Sequence, residues 1–145
     1  MTPLRRFLRL DRRDRSLWLR AWVTLWSTRL ALWGLSFGRV RAFVRRAARR
    51  RPGVTSGPQE TQRIAWAVSS AARYVPMASC LTQAMSMRVL LGHRGLAGEL
   101  RIGVERSPGS RLRAHAWVEV DGDVVIGGHE HLETFSVLPP LPGES

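Results

Sequence analysis

Cys80 is the only thiol in the chain and stands in the run Ala78-Ser79-Cys80-Leu81-Thr82-Gln83-Ala84. Further on comes Ala114-His115-Ala116-Trp117-Val118-Glu119. A thiol that opens a helical pattern, with a histidine inside a strand pattern, is the sequence form of a Cys–His nucleophilic pair. Free thiols are mostly protonated at neutral pH and attack poorly. A place in the first turn of a helix favours the thiolate, because unpaired N–H groups and the helix dipole face it. An imidazole brought in from a neighbouring strand does the same and can act as general base. In this arrangement the backbone N–H of Cys80 points at the attacked carbonyl and helps hold its oxyanion. Gln83 either adds a side-chain donor there or faces solvent one turn downstream. Read alone, Cys80 is a small buried hydrophobe and His115 a packed core side chain; the combination is what points to chemistry.

The other histidines carry less. His93 follows Gly92 at a helix end, where Gly92 suits a C-cap and His93 a capping cation. His129 and His131 flank Glu130, and two histidines at i, i+2 are a weak metal signal. With one cysteine and no denser ligand cluster, no metal and no cofactor are expected.

The elements that must position the pair follow from periodicity. Ser16 to Phe37 is mostly apolar and helical, with residues 18, 22, 25, 26, 29, 30 and 33 spaced for one buried stripe. Asp14 or Ser16 is the expected cap, and a second short basic helix is expected near 39–50 after Gly34 and Gly38. Arg51-Pro52-Gly53-Val54-Thr55-Ser56-Gly57-Pro58 reads as a boundary. It divides a basic helical segment, 1–51, from a domain over 52–145. A helix over about 59–74 buries Ile64, Ala65, Val68 and Ala72, and Pro76 ends it. Another runs from near Ser79 to Leu91, with Leu81, Ala84, Met85, Arg88 or Val89, and Leu91 on one side. The period then becomes two: strands over 99–105, 113–120 and 123–126, the last pair joined by an Asp121-Gly122 turn. Residues 135–138 form a short edge. The order of helices then antiparallel strands makes the class α+β.

Charge is unevenly placed. Residues 1–51 hold fifteen arginines and two acids, a net of +13, while 52–145 hold eight arginines and nine acids, a net of −1. There is no lysine. A lone cysteine excludes an intramolecular disulfide framework and fits a reducing, cytoplasmic setting. Arg20 and Arg29 interrupt the apolar segment, and each costs roughly 2.5–3.5 kcal/mol at the centre of a membrane helix. A membrane span is therefore rejected. So is a signal peptide, because the apolar part is too long and no small-residue cleavage site follows. Four tryptophans between Trp18 and Trp33 load one short helix heavily. Part of that surface is expected to bury against the second domain or a partner.

The set Cys80-Leu81, Gln83-Ala84, Leu90-Leu91, Gly95, Ile102-Gly103-Val104, Ala114 to Glu119 and Asp121-Gly122 closely resembles the transglutaminase-like leader peptidases of lasso peptide biosynthesis. The likeness spans about residues 60–138. It implies a papain-like core of helices on a small antiparallel sheet, with Cys80 as nucleophile and His115 as general base. It also implies cleavage of a leader from a ribosomally made precursor. The first 51 residues are too short and too helical for the leader-recognition module that some members carry. The resemblance is thus to the split form, whose partners are the precursor peptide, a separate recognition protein and the lasso cyclase. Relatives with a full triad have an Asp near the position of Val125-Ile126-Gly127-Gly128, where this chain has no carboxylate. A regular hairpin puts His115 opposite Gly128 and Glu130 diagonal to it, which makes Glu130 the candidate orienter. Otherwise a backbone carbonyl, a water or a partner's residue holds the ring. Asp121 and Asp123 sit roughly 17 Å away at about 3.3 Å per residue.

Two other readings compete with leader peptidase. One keeps the fold and passes the acyl group to an amine. The other is a non-catalytic arginine-rich adaptor for nucleic acid or a membrane surface, bound through residues 1–51 with steep salt dependence. The adaptor leaves the Cys80 and His115 pairing unexplained. Nucleic acid is therefore not the expected partner; under the peptidase reading residues 1–51 dock a recognition protein, an acidic leader or the cyclase, with peripheral membrane contact as the alternative.

Overall fold

The structure, a computed structural model, describes residues 3–49, 57–106, 108–109, 111–128 and 131–139. Residues 51–56 of the expected boundary, and Glu130 and His129, lie outside them.

Among the described residues the first helix is α1, Pro3–Leu8, within the basic lead-in. The long helix α2 spans Arg12–Gly34 and starts earlier than Asp14 or Ser16 would allow. Asp11 is its cap, accepting the Arg12 N–H at 2.8 Å, and Asp14 falls in the first turn, where an acid suits the dipole. Its buried stripe is Leu17, Ala21, Leu25 and Thr28 rather than the expected tryptophan line. Trp18, Trp22 and Trp26 flank that stripe half-buried, and Trp33 is 82% exposed. Narrow side chains let α2 approach its neighbours closely, and indoles at the seam would hold them apart.

Helix α3, Phe37–Ala47, turns Val40 and Val44 inward against Met85 and Val89. Helix α4, Pro58–Ala72, begins on a proline, whose missing N–H costs nothing at that position. It buries Thr61, Ile64, Ala67, Val68 and Ala71. Ala65 and Ala72, expected inside, are half-buried.

Helix α5, Cys80–His93, is the centre of the molecule. The sequence suggests one buried side, but Thr82, Ala84 to Met87 and Val89 to Gly92 are all buried. They cover most of its circumference because α5 packs against α2, α3, α4 and three of the strands. Gly92 is not the C-cap, which is Arg94. It lies where the end of α3 crosses, and an added Cβ would stand 2.1 Å from the Ala48 carbonyl oxygen.

The sheet contains β1 (Glu99–Arg106), β2 (Leu112–Val120), β3 (Asp123–Ile126) and β4 (Ser136–Val137) in the order β3-β2-β1-β4. Every pairing is antiparallel. Asp121 and Gly122 form the β2–β3 turn with φ of 50° and 84°, the two left-handed conformations that a two-residue hairpin of primed type needs. On β1 and β2, Leu100 faces Val118 and Ile102 faces Ala116, and these four pack into the helical core. The result is α+β, five helices packed on a four-stranded antiparallel sheet.

Candidate active site

Cys80 is the first residue of α5 and is half-buried, packed at the edge of the main core. What starts the helix there is Ser79, in extended conformation, whose Oγ accepts the Thr82 N–H at 3.2 Å. That cap stabilises the helix by about 1 kcal/mol. The ladder closes from Gln83, whose N–H reaches the Ser79 carbonyl at 3.0 Å. The N–H of Cys80 precedes that ladder, so α5 itself gives it no acceptor. It is thus placed to hold a negative oxygen beside the sulfur.

The approach to Cys80 is a tied turn. Met77 has φ of 57°, an uncommon conformation for a side chain of this kind. Arg29 on α2 holds this turn, its Nε donating to the Pro76 carbonyl at 3.3 Å. Gln83 Nε2 donates to the Ala78 carbonyl at 3.1 Å. Gln83 therefore neither faces solvent nor has its amide nitrogen wholly spare for an oxyanion. It closes the loop that delivers Cys80.

His115 lies on β2 opposite Gly103 of β1, and it is buried. Side chains alternate along a strand. The ring leaves β2 on the face opposite to Ala116 and Val118, and it stacks on Trp117 at 6.0 Å and tilts against Phe135 at 5.7 Å. A Cβ on Gly103 would come within 2.8 Å of the Phe135 Cβ and 3.0 Å of the Trp117 ring, so glycine makes room for both. His115 Nε2 lies 2.8 Å from the Gly127 carbonyl oxygen. A carbonyl only accepts, so Nε2 carries the hydrogen and, in the neutral ring, Nδ1 carries the lone pair.

The expected register fails just before that contact. A bulge between Val118 and Glu119 sets Val118 opposite Ile126, where a regular hairpin would give Val125. The strand that follows is shifted by one residue, and the Gly127 carbonyl, not a residue at position 128, reaches the ring. Asp121 and Asp123 are exposed at the hairpin tip, in line with a turn-forming role. Glu119 is committed elsewhere, accepting the Trp117 indole N–H at 2.9 Å and pairing with Arg101 at 3.4 Å.

The fold lays α5 on β2 and so brings the two elements into contact. No hydrogen bond joins Cys80 Sγ to His115. His93 is the last residue of α5, in the turn where a cation suits the dipole. His131 pairs with Glu133 at 3.4 Å on the surface. Among the described residues no group of histidine, cysteine or carboxylate side chains could hold a metal ion, and no helix is long and apolar enough to cross a membrane.

Sequence reasoning missed the roles of Gly127, Trp117 and Phe135 around the imidazole. Gly103 was the available signal, because glycine inside a strand pattern marks a close approach.

Comparison with curated proteins and with solved structures gives no match. The profile of the transglutaminase-like superfamily matches residues 22–139, from the middle of α2 to beyond β4, and the chain belongs to that superfamily.

Proposed function

We propose that the chain is a cysteine peptidase that removes the leader from a lasso precursor peptide, with Cys80 as nucleophile and His115 as general base. The superfamily is compatible with cysteine peptidase or acyltransferase chemistry. The narrower reading draws on the run from Cys80-Leu81 through Ala114-His115-Ala116-Trp117-Val118-Glu119. Two observations support the chemistry: Cys80 stands at the head of a capped helix, and the Gly127 carbonyl fixes the His115 ring on β2, on the face turned away from the helical core.

In this mechanism Cys80 gives its proton to His115 Nδ1, and the thiolate attacks the carbonyl carbon of the leader–core amide. The oxyanion rests on the Cys80 N–H. The imidazolium returns the proton to the departing amine, which releases the core peptide and leaves the leader as a thioester. Water, deprotonated by the same ring, then cleaves the thioester and frees the leader as a carboxylate. The Gly127 carbonyl keeps Nε2 protonated throughout, the task an Asp performs in relatives with a full triad. Cys80 Sγ and the ring share no hydrogen bond in the free chain, so this reading requires them to meet once precursor and recognition protein are bound.

The test is to incubate precursor and recognition protein with the wild type, Cys80→Ala and His115→Ala, and to follow products by mass spectrometry. Both variants should keep their far-ultraviolet circular dichroism and lose about three orders of magnitude in rate. Full cleavage by Cys80→Ala sinks the proposal. A leader carrying an added amine in place of a free carboxylate would assign the acyl transferase instead.

A further inference from the structure

Away from β2, α1, the first turns of α2 and the C-terminal half of α4 enclose a groove of about 770 Å³. Its aromatic wall is continuous: Phe7 meets Trp18 edge-on at 5.1 Å, and Trp18 meets Tyr74 at 5.7 Å. Trp66 lines it while remaining 40% exposed. The α1 side is fastened by Arg15, which donates to the carbonyls of Leu8 and Leu10 at 3.1 and 3.2 Å and lies over the Phe7 ring. The groove is thus a built concavity. Among the described residues its charged lining is Arg6 and Arg73, and no carboxylate lines it. Asp14, on the next turn of α2, is tied to Arg63.

Bulky apolar walls beneath a purely cationic rim select an apolar anchor flanked by carboxylates. A flat bilayer would leave the concavity empty, whereas a leucine or aromatic side chain fills it. Position selects the source. Tyr74 precedes Cys80 by six residues, which limits their separation to about 22 Å of extended chain. One polypeptide of modest length can therefore occupy the groove and reach the sulfur. We propose that this groove is a docking site for an acidic, apolar-anchored segment of the same polypeptide that Cys80 attacks. This rests on the peptidase reading, and it adds a second point of attachment remote from the bond that is cut.

The probe is a fluorescein-labelled peptide of repeated Glu-Glu-Leu, titrated into full-length Cys80→Ala and followed by anisotropy. Trp66→Ala and Arg73→Glu, each built on that background, should weaken binding about tenfold. Peptides of Gln-Gln-Leu, Glu-Glu-Ser and Lys-Lys-Leu should bind at least as weakly as that. In precursor cleavage, Trp66→Ala in the otherwise wild-type chain should raise KM about tenfold and leave kcat unchanged. Equal affinity of groove variants and parent overturns the proposal. So does binding of anionic phosphatidylglycerol vesicles, rather than the peptide, that depends on Trp66 and Arg73. Peptide binding in the groove with an unchanged cleavage KM also overturns it, because the occupant is then another protein. Groove-dependent binding of the uncut precursor with no cleavage by any form keeps the docking site and removes the peptidase reading alone.

Discussion

Replacing Gly92 by alanine tests whether α5 is held in place by backbone contact. The added Cβ would lie 2.1 Å from the Ala48 carbonyl oxygen, 2.5 Å from its carbonyl carbon and 2.6 Å from its Cα. All three are backbone atoms, so no side chain can rotate out of the way. Ordinary contact therefore requires α3 and α5 to separate by about 1 Å, and overpacking of this sort costs about 3 kcal/mol. For a domain of this size that lowers Tm by about 6–12 °C. The counterpart is Gly34→Ala at the end of α2, where an added Cβ meets nothing within 4 Å. There the same change should stabilise by about 0.5 kcal/mol through helix propensity. Scanning calorimetry of both variants supplies the contrast in sign. Displacement of α5 also moves Cys80, and a misplacement of about 1 Å costs about 100-fold in rate at temperatures where the variant is folded. A Gly92→Ala protein melting within about 1 °C of wild type would refute the argument, as would Gly34→Ala melting equally low.

Other expectations follow from single contacts. Ser79→Ala removes the α5 cap and should cost about 1 kcal/mol in urea unfolding, while Ser79→Gly costs only a few tenths. Gln83→Leu leaves the Ala78 carbonyl without its side-chain donor and should cost about 1 kcal/mol, with kcat falling more than KM rises. Asp14→Asn breaks the Arg63 pair at the surface and should change stability by less than about 1 kcal/mol. The guanidinium of Arg63 is pushed up from its ordinary value chiefly by the hydrogen bond it donates to the Asp14 carboxylate. A raised cation contributes below its unfolded pKa and loses that contribution only as pH climbs through the higher folded one. Arg63 should therefore leave the unfolding free energy flat between about pH 7 and 10, and a chemical-denaturation series comparing wild type with Arg63→Gln checks this.

Much of this arrangement was legible in the residues. Asp121-Gly122 announced the hairpin because few dipeptides accept two successive left-handed conformations, and both are present. Alternation over 99–105 marks β1: Leu100 and Ile102 pack on the helical core, while Gly103 on the other face is buried under Phe135 and Trp117. What escaped was set by tertiary contact. The bulge at Val118 and Glu119 has no local mark, and it decides which carbonyl meets His115. A backbone carbonyl stood among the alternatives for holding the ring, but side-chain identity could not single out that of Gly127. Gly92 was read as a helix end because glycine favours one, whereas its neighbour in space is Ala48, far away along the chain. The tryptophan stripe on α2 misled because hydrophobicity alone does not say which side chains are slim enough for a helix crossing. Leu17, Ala21 and Thr28 occupy that seam.

Helix α5 is enclosed on most of its circumference, and the sulfur sits at its tip. Selection acting on reactivity has almost no free surface along that helix to work with, since nearly every substitution there disturbs the interior first. On the peptidase reading, adjustment of rate and specificity therefore accumulates on either side of the tip. The approach turn of residues 73–79 and the strand ends around Gly127 and Phe135 are where divergence among homologues should concentrate, while the helix between them stays nearly fixed.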